Sequence, residues 1–344
     1  MADKGAMTKI LIIYTGGTIG MVNDPKTGML IPFDFEQIQD NVPELARLDY
    51  QLSVHSFNPI LDSSNMDPLI WAQLATLIDQ EYDQYDGFVI LHGSDTMSFT
   101  ASALSFMLQN LAKPVVLTGS QLPIGEIRTD AKENLITALE IAATRKEGRA
   151  MVPEVCVYFD YQLFRGNRSI KNNSEKFEAF ASPNYPLLAE AGVHLEFYPN
   201  YILPAPQLPL ALHTAFKPNV AVLKMYPGIP ESAVRAITES DAGAIILEAF
   251  GSGNTTTAPW FISCLKNAIA QGKTIVDISQ CKGGSVQLGV YETSRYLQEI
   301  GVISGYDMTF EATVCKLMFL LGQELSPAAM RRAMEQAIAG ELSR

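Results

Sequence analysis

The chain has 344 residues, which is long enough for two domains because single hydrophobic cores stop growing near roughly 250 residues. Its apolar content of 47% and charged content of 18% are those of an ordinary soluble globular protein. The net charge of −12 argues against a sequence-independent nucleic-acid binder, which needs a basic face.

The sequence also bears on compartment and metal content. It has no N-terminal apolar signal region and no run of 18 apolar residues, so we expect a cytoplasmic protein without a membrane partner. The four cysteines lie far apart without a Cys-x-x-Cys pair, which favours reduced thiols over a zinc site or a disulfide framework. These cysteines are Cys156, Cys264, Cys281 and Cys315.

In the first half of the chain, short apolar runs alternate with segments of helical period. The runs are rich in Val and Ile and are bounded by Gly or Pro, which predicts buried strands at 9–14, 87–93, 114–120 and 154–159. Helices are predicted between them, at 67–82, 96–111 and 130–144. Asp67 is a plausible N-cap, since Pro68 follows it at the first helical position.

A proline-rich stretch then interrupts the alternation. Residues 197–218 hold five prolines, which exclude a central strand or a regular helix and indicate an extended linker. After it, strands are predicted at 220–226, 243–250 and 274–279, with helices near 230–239, 258–271, 309–322 and 326–340.

This order of elements predicts an α/β protein of two domains. The larger N-terminal domain, residues 1–200, should hold an open, mostly parallel sheet flanked by helices. A linker at 201–217 should join it to a smaller C-terminal α/β domain with a parallel sheet, residues 218–344.

Polar clusters follow the predicted strands of the N-terminal domain. They read YTGGTIG (14–20), LHGSDTM (91–97), TGSQLP (118–123) and FRGNRSIKNNS (164–174). Ligands of an open parallel sheet bind beyond the carboxyl ends of its strands, so these clusters have access to one crevice.

Several familiar site patterns are missing from the sequence. Gly16 is followed by Gly17 and Thr18, which does not fit the dinucleotide motif, and neither a phosphate loop nor a Gly-x-Ser-x-Gly elbow occurs. The four histidines are scattered without metal spacing, so we expect them to be structural or surface residues. We expect neither a metal nor a cofactor.

With these patterns missing, nucleophilic catalysis that uses no histidine is the type of chemistry left to consider. A Thr hydroxyl becomes a nucleophile once another group takes its proton. A lysine can do so if partial burial lowers its pKa, with a nearby carboxylate fixing its position. Thr18 on the glycine turn, Ser94 and Asp95 on a second loop and Lys171 on a third would form such a group. The alternative is structural, because a Thr after a glycine turn often only caps the next helix.

At this point the sequence resembles a known family. YTGGTIG and LHGSDTM are similar to the two signature segments of bacterial L-asparaginases, whose typical forms are TGGTI and HGTDT. The resemblance covers nearly the whole chain and is closest to the cytoplasmic, type I branch. It continues through LDSSNMDP (61–68), TASALSFML (100–108), RGNRSIK (165–171), FASPNYPLL (180–188), GSGN (251–254) and GVISGYDMTFEA (301–312).

The resemblance implies hydrolysis of L-asparagine to L-aspartate and ammonia through an acyl-enzyme intermediate. Thr18 would be the nucleophile, and a second catalytic group would activate its hydroxyl or the later water. That group is Ser94, Asp95 and Lys171. The substrate-binding residues implied are Asp62, Ser63, Ser64, Ser94 and Asp95. A homodimer or homotetramer is implied by analogy.

Departures from the family pattern affect two catalytic positions. Ser94 stands where the family usually has Thr, so the hydroxyl is kept but the methyl that restricts its rotamer is lost. Many relatives carry a tyrosine on the loop after the first motif, and residues 21–33 contain none. Tyr291 matches a tyrosine that some relatives supply from the C-terminal domain to a neighbouring subunit; the alternative is a tyrosine that packs at a helix start.

A third departure concerns regulation, and a further expectation concerns a lid. Cys281 matches part of an allosteric asparagine site of some type I enzymes, but Ile170 and Glu248 replace their Thr and Arg. We therefore expect no activation by asparagine.

Residues 22–31 contain residues typical of turns and should form a mobile lid or an ordinary surface loop.

Two other functions are compatible with parts of this pattern. One is a non-catalytic two-domain protein that binds or senses an amino acid, although such a protein has no need to place Thr18 beside Lys171. The other is the glutamine amidase subunit of a tRNA amidotransferase, which would carry an extra N-terminal domain before the strand at Lys9.

Overall fold

A computed structural model describes residues 7–23, 30–32, 42–290 and 292–343 of the chain. The chain divides into two compact units, Met1–Thr214 and Ala215–Arg344. The domain boundaries expected at residues 200 and 218 stay a prediction, because compactness alone does not define where a connecting segment starts.

The first unit contains strands and helices at all the predicted places, together with strands that the sequence did not predict, the longest of which is Tyr50–Leu61. Its strands are Thr8–Gly16 (β1), Met21–Asn23 (β2), Leu30–Pro32 (β3), Tyr50–Leu61 (β4), Gly87–Leu91 (β5), Leu108–Gln109 (β6), Val115–Thr118 (β7), Arg145–Lys146 (β8), Arg149–Ala150 (β9), Val155–Phe159 (β10), Gln162–Arg165 (β11), Ile170–Lys171 (β12), Phe180–Ala181 (β13), Ala189–Ala191 (β14), Leu195–Phe197 (β15) and Ala211–Leu212 (β16). Its helices are Pro68–Glu81 (α1), Met97–Met107 (α2) and Ala131–Ala143 (α3).

One large sheet organises this unit, in the order β15-β14-β11-β10-β7-β5-β1-β4. The strands from β4 to β10 pair in parallel, whereas β11, β14 and β15 continue the sheet antiparallel. The parallel strands are continuous apolar runs because both faces are covered, and Ile12, Val89 and Val116 have no exposed surface. The predicted open, mostly parallel sheet is confirmed.

Helix α1 begins as its sequence predicted. The Asp67 carboxylate accepts the backbone N–H groups of Leu69 and Ile70 at 2.9 and 3.0 Å, and Pro68 occupies the first turn. Two donors that lack an intrahelical partner are thereby satisfied.

The second unit is a smaller α/β structure. Its elements are Val220–Lys224 (β17), Glu231–Thr238 (α4), Ala244–Ala249 (β18), Pro259–Ala270 (α5), Thr274–Ser279 (β19), Glu292–Ile300 (α6), Ile303–Ser304 (β20), Phe310–Gly322 (α7) and Pro327–Met334 (α8). Strands β17, β18, β19 and β20 form a parallel sheet in chain order, as predicted for the C-terminal half. The sequence did not predict α6 or β20.

Part of the proline-rich stretch belongs to the first unit. Strand β16 pairs antiparallel with β6, so the segment expected to be an extended linker carries a short strand. Among the helices of the described residues, none has the length and apolar character needed to cross a membrane.

Candidate active site

The carboxyl ends of three neighbouring parallel strands bring three loops together. Strands β4, β1 and β5 are adjacent in the sheet, and the loops after them are residues 61–65, 16–20 and 92–96. Parallel strands point their carboxyl ends to the same edge, where ligands of open α/β sheets bind. This edge therefore holds the candidate site.

Two glycines allow close contact between these loops. Gly17 has φ +93°, and a Cβ atom on it would lie 2.5 Å from the backbone nitrogen of Gly93. A Cβ atom on Gly16 would overlap the carbonyl oxygen of Leu61. The paired glycines thus set the turn that carries Thr18 directly against both neighbouring loops.

Thr18 opens a short 3-10 turn, Thr18–Gly20, and is half-buried. The Tyr14 hydroxyl donates to the Gly20 carbonyl at 3.0 Å and so holds the turn from below. Within the residues that the structure describes, the Thr18 hydroxyl has no hydrogen-bond partner. Thr15 differs, since it is fully buried and its hydroxyl donates to the Leu91 carbonyl at 3.0 Å, which is a structural role.

Lys171 joins Ser94 and Asp95, as the sequence predicted from their positions after separate strands. Its Nζ lies 2.8 Å from Ser94 Oγ and 2.5 Å from Asp95 Oδ1. The Lys171 side chain is 18% exposed and the Asp95 side chain is 67% exposed. The amine is therefore held by the other two groups, while much of the carboxylate faces solvent.

The segment that delivers Lys171 is anchored in the interior. Arg165 Nε lies 2.7 Å from Glu154 Oε2, and each of these side chains is 4% exposed. Ser169 Oγ donates to Ser98 Oγ at 3.1 Å, which ties the segment to helix α2 just after the loop of Ser94 and Asp95. Both buried contacts precede Lys171 in the chain and hold the segment that carries it in place.

The loop after β4 is ordered by its own carboxylate. Asp62 Oδ1 accepts from the Ser64 N–H at 2.8 Å and from the Ser64 hydroxyl at 2.7 Å, and these bonds lower the pKa of Asp62. Ser63 is buried, and its carbonyl accepts the Thr96 hydroxyl at 2.6 Å. The Asp62, Ser63 and Ser64 loop is thus fixed to the loop of Ser94 and Asp95.

His92 is a buried neighbour that sequence reasoning placed only among the structural histidines. It directly precedes the Gly93 loop, and both ring nitrogens have hydrogen-bond partners within 3 Å, at 2.7 and 2.9 Å. Burial lowers its pKa to about 4. A sequence signal existed in its position two residues before Ser94, but its contact with Thr100, which in turn bonds Trp71, is visible only in the fold.

Two expectations fall outside the described residues. Tyr291 lies outside them, as do residues 24–29 of the expected lid. In the described parts of the chain, no group of three or more His, Cys, Asp or Glu side chains is placed to hold a metal ion.

Comparison with known proteins shows the family to which the chain belongs. The family model described as "Asparaginase, N-terminal" matches residues 9–203, and the one described as "Glutaminase/Asparaginase C-terminal domain" matches residues 219–334. L-asparaginase 1 of Escherichia coli (strain K12) is 42% identical over 335 residues, 97% of this chain and 98% of that protein. A 60 kDa lysophospholipase of Mus musculus is 39% identical over 364 residues, 98% of this chain and 63% of that protein.

A solved structure agrees with the sequence comparison. L-asparaginase I from Vibrio cholerae O1 biovar eltor str. N16961 matches with a TM-score of 0.90 and 40% identity, covering 98% of this chain and 100% of that chain. The family models and the relatives together span both units, so the chain belongs to the asparaginase family.

Proposed function

We propose that the protein hydrolyses the side-chain amide of L-asparagine to give L-aspartate and ammonia. One observation carries the proposal: Lys171 Nζ contacts both Ser94 Oγ and Asp95 Oδ1 at the sheet edge where the Gly17 turn presents Thr18. The membership in the asparaginase family agrees with this chemistry.

In the first half of the reaction, Thr18 Oγ attacks the amide carbonyl. The hydroxyl proton passes to the group of Ser94, Asp95 and Lys171, and the carbon–nitrogen bond breaks so that ammonia leaves with a proton. In the second half, water attacks the aspartyl ester, the same group takes a proton from the water, and Thr18 regains its hydroxyl. His92 is not available as a base in either half, because both of its ring nitrogens are already engaged.

The substrate is a zwitterion, and the site offers complementary groups. The Asp95 carboxylate, 67% exposed, is suited to the α-ammonium group. The hydroxyls and backbone N–H groups of Ser63 and Ser64 are suited to the α-carboxylate, with Asp62 holding their loop in shape. Neither a metal nor a cofactor has a step in this mechanism.

Tyr291 completes the proposal as a prediction. Tyr291 would replace the tyrosine that is missing from residues 21–33 and would serve the site of a neighbouring subunit. This role would require a homodimer or homotetramer. We further propose a cytoplasmic location, with the amino acid as substrate and neither nucleic acid nor a membrane as partner.

Substrate comparison with the native chain tests the proposal. We expect ammonia and aspartate from L-asparagine, a lower rate with L-glutamine and no fatty acid from lysophosphatidylcholine, because the groups at the strand ends are polar. An amino-acid sensor would bind asparagine without releasing ammonia. A preference for glutamine would favour the amidotransferase alternative, and either result would overturn the proposal.

A further inference from the structure

A buried chain of hydrogen bonds runs from helix α1 to the loop of the candidate site. The Trp71 indole N–H donates to Thr100 Oγ1 at 3.0 Å, Thr100 Oγ1 lies 2.9 Å from His92 Nε2, and His92 Nδ1 lies 2.7 Å from the Gly93 carbonyl oxygen. Trp71 is 5% exposed, while Thr100 and His92 are fully buried. Solvent therefore cannot replace any of these bonds.

The two ends of the chain determine the direction of every bond in it. An indole N–H only donates and a carbonyl oxygen only accepts. His92 Nδ1 must therefore carry the proton that is shared with Gly93. Because burial lowers the His92 pKa to about 4, the ring is neutral and Nε2 must accept. The Thr100 hydroxyl satisfies both sides, since it accepts from Trp71 and donates to Nε2. His92 is thus held in one neutral tautomer.

The chain has a consequence for the peptide between Gly93 and Ser94. A trans peptide points its C=O and its N–H in opposite directions. Because His92 holds the Gly93 carbonyl, the N–H of Ser94 points away from His92. Across the described residues, this N–H has no hydrogen-bond partner, and the backbone of Gly17 packs on the adjoining Gly93.

We propose that His92, Thr100 and Trp71 are positioning residues, which orient the Gly93–Ser94 peptide so that its N–H is available to the developing oxyanion. The same orientation sets Ser94 Oγ beside Lys171, since both depend on this peptide plane. The inference rests on the proposed asparagine hydrolysis and adds to it three residues that need not touch the substrate.

Substitutions at Thr100 test the chain with a matched pair. Thr100→Val removes the hydroxyl while keeping the shape, whereas Thr100→Ser keeps the hydroxyl. We expect Thr100→Val to lower kcat by about 10- to 100-fold. This decrease is no larger than the one that follows removal of a whole oxyanion donor. KM should change by less than about threefold, because the peptide acts mainly on the transition state. Thr100→Ser should stay within about threefold of the native kcat.

Thr76→Val is the control for a threonine change on a neighbouring helix. The Thr76 hydroxyl donates only to the Ala72 carbonyl of its own helix, at 2.7 Å, and this variant should keep the native kcat. The pH profile of kcat/KM should have the same apparent pKa values in native protein and Thr100→Val, since a positioning role changes the height of the profile and not its limbs.

Nitrogen-15 NMR of the histidine rings tests the tautomer in the native protein itself. His92→Asn identifies the His92 signals by their loss. We expect a protonated Nδ1 and an unprotonated Nε2 from pH 6 to pH 9, because burial holds the His92 pKa near 4. An imidazolium, the opposite tautomer, or equal kcat values for Thr100→Val and Thr100→Ser would overturn the inference.

The failure of this inference differs from the failure of the proposed function. If the native protein releases ammonia from asparagine but the two Thr100 variants behave alike, only the positioning role is wrong. If the native protein releases no ammonia, the proposed function is wrong and the positioning role falls with it.

Discussion

The buried ion pair between Lys316 and Glu341 gives a large stability prediction. Lys316 Nζ lies 2.6 Å from Glu341 Oε1, and neither side chain has any exposed surface. The same amine donates to the carbonyls of Met334 at 3.0 Å and Gln336 at 2.7 Å. Lys316 on helix α7 thus closes the end of helix α8 and holds the C-terminal residues that carry Glu341.

Lys316→Met should remove the amine while keeping most of the volume. The Glu341 carboxylate would then stay buried without its cation, and two carbonyls would lose a donor. Removing one partner of a buried pair costs about 3 to 5 kcal/mol. At about 2 to 4 °C per kcal/mol, the melting temperature should fall by roughly 6 to 20 °C.

Urea denaturation followed by circular dichroism measures the loss of unfolding free energy, with Lys217→Met as the control. Lys217 also pairs with a glutamate, Glu324 at 2.9 Å, but its side chain is 54% exposed, so this substitution should leave the midpoint unchanged. Adding Glu341→Gln to Lys316→Met removes the stranded charge and should restore part of the stability. Equal losses for the two lysine variants, or a double variant less stable than Lys316→Met, would refute the reasoning.

Two further predictions concern the second unit. Asp277 is fully buried, neither carboxyl oxygen has a partner in the described chain, and burial raises its pKa well above the usual 3.8. The folded state therefore binds a proton more tightly than the unfolded state, so native stability should fall as pH rises above 3.8 towards the folded pKa. Asp277→Asn should remove this pH dependence. The urea midpoint of the variant minus that of the native protein should therefore increase from pH 4 to pH 8, and a difference that stays constant would contradict the prediction. Asparagine should give a hyperbolic rate curve, because Glu248, 3.4 Å from Lys224, puts negative charge where activated relatives carry Arg. A sigmoidal curve would contradict that expectation.

Much of the fold was predictable because its strands are buried on both faces. The run from Ile10 to Ile13 is continuously apolar and became the core of β1, and β5 beside it lies at a predicted strand. Strand β4 on the other side of β1 was not predicted, because it is only partly buried and its sequence mixes polar and apolar residues. Helix α6 was missed because its sequence, ETSRYLQEI, is mostly polar. The pairing of β16 with β6 was also missed, since two-residue strands depend on tertiary contact and not on a sequence period.

The residues of the candidate site also differ in how far the sequence could predict them. Thr18, Ser94 and Asp95 were proposed because polar residues follow buried strands, and Lys171 because a polar cluster comes later, after β11. The family resemblance supplied their roles, which stay a prediction. The chain from Trp71 to His92 was not found, because its members are 29 and 8 residues apart along the sequence. A Trp, a Thr and a His at such spacings have no pattern, and only the packing of α1 on α2 brings them together.

The central claim is that the Thr18 hydroxyl forms the acyl intermediate beside Lys171. Ammonia release by Thr18→Ala, with asparagine binding followed by calorimetry, tests it most directly. We predict a loss of about 10⁴-fold or more in kcat with binding retained, and measurable turnover in Thr18→Ser, which keeps a hydroxyl. A Thr18→Ala protein that binds asparagine and turns it over within about tenfold of the native rate would contradict the account.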